Sequence, residues 1–374
     1  MRNFELETYF SKWEFKARYH LTASDVQSMT LEELLDLASP EDRRKFMGLH
    51  LGYTETWGLP ELRREIADTY HTAAPEDILC FAGAEEGVYV AMRVLLEKGD
   101  HAIVMVPNYQ AAETLPLDIC EVTGVPLDPE NNWALDVEMI RRALRPNTKV
   151  ISINFPNNPT GAVPELSRFN ALVELCRERG IYLFSDEVYR LVEKSPEIRL
   201  PQAGDCYEKG ISLNVISKAY GFPGLRIGWI MCRDADLLQR MERYKHYLSI
   251  CNSAPSEVLT LMALRARDVI LERNRALINS NTEKLTAFFQ EFPHLFDWRR
   301  PEGGCVAFPA WLGPGSADEF CEKLVDETGV LLLPPRIYKS DLLPVTWNRF
   351  RIGFGRRGIE EGLEVFREYL KVNF

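Results

Sequence analysis

The feature that most limits the fold is a regular alternation of helical patterns with short apolar runs across residues 60–232. The apolar runs lack polar alternation, as expected of strands that are buried on both faces of a sheet. They occupy residues 78–82, 102–106, 150–154, 181–185, 212–216 and 227–232. Apolar residues at helical spacing over 165–179 precede Gly180, which suits the left-handed position after a helix. The sequence therefore predicts an α/β fold with a mainly parallel, doubly wound sheet.

The pattern changes after about residue 280, where long helical patterns surround strand-like runs at 306–309, 330–333 and 350–353. This predicts a smaller α+β domain. About 45 residues at the start of the chain lack the βα alternation and are expected to pack with that domain. We therefore predict a large domain at 46–280 and a small domain formed by 1–45 and 281–374. Ligand sites tend to form between two such domains.

Composition and net charge limit the classes of partner that this chain is expected to bind. The 374 residues are 46% hydrophobic and 26% charged, as in globular proteins, and the net charge of −11 argues against sequence-independent binding of nucleic acid. A small-molecule partner is expected instead. No apolar stretch approaches the roughly 20 residues of a membrane span, and acids stand near the start, where a secretory signal would be apolar. We expect a cytoplasmic protein without a membrane partner.

The eight cysteines and six histidines are dispersed along the chain. No CxxC pair and no HExxH or similar ligand spacing occurs in the sequence. This pattern favours reduced thiols over a disulfide framework and predicts no metal site.

Three segments that could carry chemistry each follow a predicted strand. They read Asn-Asn-Pro-Thr-Gly at 157–161, Ser-Asp-Glu-Val-Tyr at 185–189, and Ser-Lys-Ala-Tyr-Gly-Phe-Pro-Gly-Leu-Arg-Ile-Gly-Trp at 217–229. Open α/β sheets bind ligands at the carboxyl ends of their strands. With these segments in this order, the chain resembles the class I/II aminotransferases of fold type I from about Leu51 to Gly355. The resemblance implies pyridoxal 5'-phosphate (PLP) as the cofactor.

The resemblance assigns three catalytic residues. Lys218 matches the lysine whose amine forms a Schiff base with PLP. Asp186 matches the carboxylate that pairs with the pyridinium nitrogen and keeps it protonated; a helix N-cap is the alternative. Tyr189 matches the tyrosine that donates to the phenolic oxygen of PLP. Asn158 matches the second group on that oxygen and is also assigned to the substrate.

The cofactor phosphate needs backbone N–H groups at a helix start together with cationic or hydroxyl side chains. Residues 81–87, Phe-Ala-Gly-Ala-Glu-Glu-Gly, lie between a predicted strand and a helical pattern and resemble the phosphate loop of the family. The resemblance implies contacts from Gly83, Ala84 and Glu85, through the main chain. Ser217 and Arg226 match the side-chain ligands of the phosphate.

Two tyrosines and one departure complete the implied cofactor site. Tyr109 matches the aromatic residue that stacks on the pyridine ring, with core packing as the alternative. Tyr53 matches the residue that reaches the phosphate in the partner subunit, which implies a homodimer with shared active sites; it could also be a core tyrosine. Val215 stands where many relatives have serine or threonine, so one hydroxyl contact to the phosphate is expected to be missing.

The substrate α-carboxylate calls for an arginine, which binds a carboxylate with two parallel hydrogen bonds. Arg349 and Arg351 both lie in a strand-like run, and alternation puts them on the same face, so periodicity does not choose between them. The family register selects Arg351. A surface salt bridge is the alternative role for this residue.

The resemblance implies transamination between an amino acid and a 2-oxo acid. The same scaffold also supports lyases, decarboxylases and cyclases. Residues 4–10, 21–25 and 329–336 are similar to the capreomycidine synthase-like branch, so elimination or cyclisation of a β-substituted amino acid is the second hypothesis. A non-enzymatic regulator with a DNA-binding module is the third, but fewer than about 50 residues precede the matched region and the chain is acidic.

Overall fold

The computed structural model describes residues 2–374. Its strands are β1 (Tyr19–His20), β2 (Ile78–Phe81), β3 (His101–Val106), β4 (Glu121–Pro126), β5 (Thr148–Asn154), β6 (Tyr182–Asp186), β7 (Gly210–Val215), β8 (Gly228–Cys232), β9 (Phe296–Asp297), β10 (Val306–Ala307), β11 (Ala310–Trp311), β12 (Val330–Leu331) and β13 (Ile352–Gly353).

The helices follow the same order along the chain. They are α1 (Glu5–Trp13), α2 (Leu31–Leu37), α3 (Pro40–Met47), α4 (Pro60–Ala67), α5 (Ala84–Leu95), α6 (Gln110–Leu117), α7 (Val137–Ala143), α8 (Leu166–Arg179), α9 (Ala203–Cys206), α10 (Ala235–Lys245), α11 (Ala254–Arg265), α12 (Arg267–Gln290), α13 (Ala317–Thr328) and α14 (Ile359–Asn373). Over residues 2–374, no helix combines the length and the apolar character that a bilayer crossing requires.

Seven strands form the central sheet in the order β2-β8-β7-β6-β5-β3-β4. Neighbouring strands are parallel except for β8, which runs antiparallel to both β2 and β7. This confirms the mainly parallel α/β sheet, and each of the six predicted apolar runs overlaps one of its strands. The sequence did not predict β4, because this strand lies at the sheet edge and its first three residues are exposed or half-buried.

Burial on both faces explains why the central strands are apolar without alternation. In β5, Val150 and Ile151 are both fully buried although successive side chains of a strand point to opposite faces. Val150 packs in a cluster that includes residues of α5 and α10. Ile151 packs in a second cluster that includes residues of α8. Helices therefore cover both faces of the sheet.

The N-terminal segment after α1 is hydrogen-bonded to the C-terminal part of the chain. Strand β1 pairs in parallel with β12. The N–H of Gly353 donates to the carbonyl of Leu21, and the N–H of Gln27 donates to the carbonyl of Gly355, both at 2.8 Å. The segments approach so closely that a Cβ on Gly353 would lie 2.0 Å from the carbonyl oxygen of Ala23. The domain boundaries at residues 45/46 and 280/281 stay a prediction.

Phe184→Ala should lower the free energy of unfolding by about 3–5 kcal/mol, because truncating a buried ring loses its transfer free energy and leaves a cavity. Phe184 lies in β6 and is 1% exposed. Phe15→Ala is the matched control, since that ring is 94% exposed and its loss should change stability by less than about 0.5 kcal/mol. Urea unfolding followed by circular dichroism measures both, and equal losses would contradict the packing described here.

Candidate active site

A cavity of about 230 Å³ lies at the carboxyl ends of the central strands. Asn154 is the last residue of β5, Asp186 the last of β6, and Lys218 follows the end of β7 by three residues. Parallel strands end at the same sheet edge, and the register places Asn154 beside Asp186. The cavity is lined by Glu7, Ser24, Ala84, Glu85, Val88, Tyr109, Asn154, Asn158, Asp186, Val188, Tyr189, Val215, Ser217, Lys218, Pro223 and Arg226.

The amine of Lys218 lies inside this cavity. Its Nζ donates a hydrogen bond to Oγ of Ser24 at 2.8 Å. Burial lowers the pKa of Lys218, and the negative charge of Asp25 opposes that shift. A lowered pKa leaves more of the amine neutral, and the neutral amine is the nucleophilic form.

Asp186 and Glu187 are adjacent in sequence, but their carboxylates lie in different environments. The Asp186 carboxylate faces the cavity, and burial raises its pKa to about 6, although the N–H of Val188 at 3.2 Å and the charge of Lys218 pull in the other direction. The Glu187 carboxylate instead accepts from the N–H of Ala203 and the hydroxyl of Ser212, both at 2.9 Å. Asp186 is thus the acid available to a ligand.

Tyr189 and Asn158 have partners in distant parts of the chain. The Tyr189 hydroxyl donates to the carbonyl of Ser24 at 2.8 Å. The Asn158 N–H donates to Oδ1 of Asn154 at 2.8 Å, and Oδ1 of Asn158 accepts from Nη1 of Arg351 at 3.1 Å. Burial raises the pKa of Tyr189 well above its ordinary value, so its hydroxyl stays protonated.

One part of the site is built to receive an oxyanion. Gly83 precedes the first residue of α5 with φ +90°, and a Cβ there would lie 2.5 Å from Nη2 of Arg226. Ser217 lies across from Arg226, because the N–H of Ile216 donates to the carbonyl of Ile227 at 3.1 Å. The Ser217 Oγ is buried without a hydrogen-bond partner among residues 2–374. A helix N-terminus, a guanidinium and a free hydroxyl together suit a phosphate group.

A second group of cavity residues is acidic and aromatic. Tyr109 immediately precedes α6, and its ring lies 5.4 Å from the ring of Phe4. Glu85 is exposed to solvent, but the protein atoms packed around its carboxyl reduce the hydration of that group and raise its pKa to about 7. The negative charges of Asp186 and Glu7 also raise this pKa. The cavity therefore presents more carboxylate groups than a phosphate site alone would favour.

Glu7 and Ser24 line the cavity, although neither was predicted from the sequence. Glu7 lies in α1, and Ser24 lies in the segment that follows β1. Neither position follows a strand of the central sheet, where open α/β sheets bind ligands. The available signal was the similarity of residues 4–10 and 21–25 to the capreomycidine synthase-like branch.

The two candidate arginines separate in the fold. Arg351 is fully buried and donates through Nη2 to the carbonyl of Thr22 at 2.7 Å, so it lies behind Asn158 and not among the cavity-lining residues. Arg349 points elsewhere and donates to the carbonyl of Phe308 at 3.2 Å. Tyr53 is 93% exposed and lies outside the cavity.

Comparison with known proteins identifies the family. A family model described as aminotransferase class I and II matches residues 20–368. The chain is 27% identical to capreomycidine synthase from Streptomyces vinaceus over 98% of this chain and 93% of that protein. It is 27% identical to aspartate aminotransferase from Pyrococcus horikoshii over 75% of this chain and 74% of that one. The crystal structure of a PLP-dependent aminotransferase from Streptococcus suis superposes with a TM-score of 0.92, at 33% identity and with 99% and 98% of the chains covered.

The chain belongs to the class I and II aminotransferase family, and it is a PLP-dependent enzyme of fold type I. The residues of the cavity fit this cofactor. The unpaired Ser217 hydroxyl beside Arg226 and the N-terminus of α5 suits its phosphate, and the buried carboxylate of Asp186 suits a protonated ring nitrogen.

Asp186→Asn should raise the melting temperature of the cofactor-free protein at pH 7.5 while abolishing activity. The Asp186 carboxyl keeps its proton up to about pH 6 in the folded state but loses it near pH 4 when unfolded. The folded state therefore binds more protons in this window, so stability falls as the pH rises and stays reduced above pH 6. The neutral side chain of the asparagine buries no charge, so the variant does not lose this stability.

Thermal melts from pH 4 to pH 8 measure the effect. The increase in melting temperature caused by Asp186→Asn should shrink toward pH 4, where the Asp186 carboxyl of the parent protein is mostly neutral in both the folded and the unfolded state. Asp326→Asn, at an exposed position in α13, is the control and should show no such pH dependence. A constant difference between Asp186→Asn and the parent protein at all pH values would rule out a buried, destabilised charge.

Proposed function

We propose that the enzyme is an aminotransferase that moves an amino group between an amino acid and a 2-oxo acid. One cavity of the matching fold brings together the amine of Lys218, the buried carboxylate of Asp186 and an oxyanion cradle, and this observation carries the proposal. The oxyanion cradle is formed by Ser217, Arg226 and the N-terminus of α5. PLP, when bound, supplies an electron-withdrawing ring that accepts the electron pair released at the substrate Cα.

Lys218 supplies the amine that holds the cofactor covalently and that carries a proton during turnover. With PLP bound and the substrate amine in place of its own, the free Nζ of Lys218 would take the proton from the substrate Cα and return it to the cofactor carbon that receives the amino group. The lowered pKa of Lys218 supports this role, because the base must be neutral when it receives the proton.

The remaining side chains hold and orient the cofactor. With PLP bound, the carboxylate of Asp186 would pair with the ring nitrogen, Tyr109 would stack on the ring, and Tyr189 and Asn158 would bind its phenolic oxygen. The Tyr189 hydroxyl would turn there from the carbonyl of Ser24. The phosphate would be bound by the main chain of Gly83, Ala84 and Glu85 and by the side chains of Ser217 and Arg226. Val215 lines the cavity with an apolar side chain and contributes no hydroxyl.

Arg351 binds the substrate α-carboxylate together with Asn158. The guanidinium is held at 3.1 Å from Oδ1 of Asn158, and its Nε has no hydrogen-bond partner among the described residues. The unpaired Nε–H leaves this guanidinium a donor for a carboxylate oxygen. Arg351 lies behind Asn158 and does not line the cavity, so the carboxylate would reach it on the Asn158 side.

The enzyme acts as a homodimer that shares its active sites. Two neighbouring segments, joined by a hydrogen bond from Thr54 Oγ1 to the carbonyl of Asn252 at 3.0 Å, expose large apolar side chains. These exposed side chains are Leu51, Tyr53, Tyr247, Leu248 and Ile250. An exposed apolar face of this kind marks an interface, and we place Tyr53 at the phosphate of the partner subunit's site.

Coexpression of Lys218→Ala with Tyr53→Ala should restore activity that neither variant has alone at limiting PLP. If Tyr53 serves the partner's site, one site of each mixed dimer contains both native residues. Mixed dimers are half of the population, so activity should reach about a quarter of the wild-type value. The control pair is Lys218→Ala with Asp186→Ala, because both residues act within one subunit. Restoration in the control pair, or none in the test pair, would contradict the shared site.

Elimination or cyclisation of a β-substituted amino acid is the second candidate. It is favoured by the extent of the similarity to capreomycidine synthase, which spans 98% of this chain. The carboxylates of Glu7 and Glu85 on the cavity wall also suit a substrate with a cationic side chain.

The two candidates differ in what happens to the cofactor. A preferred amino acid alone should convert the bound PLP stoichiometrically to its amino form, seen as loss of the visible absorbance, and a 2-oxo acid should restore the spectrum. Each common amino acid is tested in turn, and Lys218→Ala is the control that should convert none. If no common amino acid converts the cofactor, while a β-substituted basic amino acid turns over with PLP retained, the second candidate replaces the first.

A further inference from the structure

Ser24 contacts two groups of the proposed catalytic apparatus at once. Its Oγ accepts a hydrogen bond from Nζ of Lys218 at 2.8 Å. Its carbonyl oxygen accepts from the hydroxyl of Tyr189, also at 2.8 Å. The lysine follows β7 and the tyrosine follows β6, so a residue from the N-terminal segment joins the ends of two central strands.

The segment that carries Ser24 is fixed on both sides of this residue. The carbonyl of Thr22 accepts from Nη2 of Arg351 at 2.7 Å. The carboxylate of Asp25 accepts from Nη2 of Arg356 at 2.9 and 3.0 Å. A Cβ on Gly355 would lie 2.3 Å from the carbonyl oxygen of Asp25, so the two chains approach closely here. Ser24 therefore has little freedom to move away from the lysine.

Several charged and titratable groups surround the amine of Lys218. Burial lowers the pKa of Lys218, Asp25, Cys305 and Asp186 oppose the shift, and Arg351 adds to it. Over residues 2–374, Nζ of Lys218 donates one hydrogen bond, to Oγ of Ser24. A hydroxyl both accepts and donates, so it can contact the ammonium and the neutral amine.

We propose that Ser24 is a positioning residue whose hydroxyl fixes the direction of the free Lys218 amine. This inference rests on the proposed role of Lys218 as the proton carrier. Because Thr22 in the same segment holds Arg351, the segment links the arginine proposed for the substrate carboxylate to the amine that moves the proton.

The decisive test compares Ser24→Ala with Ser24→Thr in the cofactor-free protein. Competitive acetylation across a pH range, followed by mass spectrometry of the peptide that contains Lys218, measures the apparent pKa of this amine. Removing the acceptor destabilises the ammonium, so Ser24→Ala should lower the apparent pKa of Lys218, while Ser24→Thr should restore it. Ser28→Ala, at an exposed serine of the same segment, is the control and should change nothing.

In the PLP-loaded enzyme, Ser24→Ala should lower kcat about a hundredfold with little change in KM, because a misdirected base slows proton transfer without weakening substrate binding. Ser24→Cys, which is nearly isosteric but a weaker acceptor, serves the same comparison if Ser24→Ala does not fold. An unchanged apparent pKa of Lys218 together with a wild-type kcat would overturn the inference. If the wild-type enzyme does not transaminate, the proposed function fails, and the acetylation experiment still decides the contact between Ser24 and Lys218.

Discussion

The parallel pairing of β5, β6 and β7 is the constraint on which the rest of the site depends. Each of these strands is covered by helices on both faces, so consecutive strands are joined by crossovers and end at the same edge. Neighbouring strands lie about 4.8 Å apart, so residues at their ends are close whatever their separation in sequence. Asn154, Asp186 and Lys218 meet for this reason, and the helix N-terminus at Ala84 reaches them because β2 pairs with β8 beside β7.

The site contains carboxylates whose burial lowers the stability of the folded protein. Burial raises the pKa values of Asp186 and Glu187 to about 6 and about 7, so both carboxylates would be more stable in water. Glu187 recovers part of this cost through three neighbouring donors from Ala203, Ser212 and Asn214. Asp186 has the N–H of Val188 and the charge of Lys218, and retains the capacity to bind a cationic ligand. The difference between these adjacent acids indicates a ligand site at Asp186 and a structural role at Glu187.

The sequence predicted the elements that leave a local pattern, and it did not predict contacts between residues that are distant in sequence. Central strands such as β5 were predicted from their apolar runs, whereas β4 was missed because an edge strand needs less apolar surface. Periodicity left Arg349 and Arg351 equivalent, and the family resemblance was needed to select Arg351. In the structure their partners differ, since Arg351 contacts Asn158 and Arg349 contacts the carbonyl of Phe308. Ser24 lies 194 residues from Lys218 in sequence, and no local pattern encodes a contact of that range.

The residues at the strand ends do not by themselves determine which reaction follows. An amine, a carboxylate against the ring nitrogen and an oxyanion cradle serve any PLP enzyme that loosens the bond between Cα and its proton. Transamination and β-elimination diverge afterwards, through groups that reach the substrate side chain or direct the returning proton. In this chain, part of the wall that could do so comes from outside the sheet, with Glu7 on α1 and Ser24 after β1. The strand ends therefore account for the step that both candidate reactions share, and not for the choice between them.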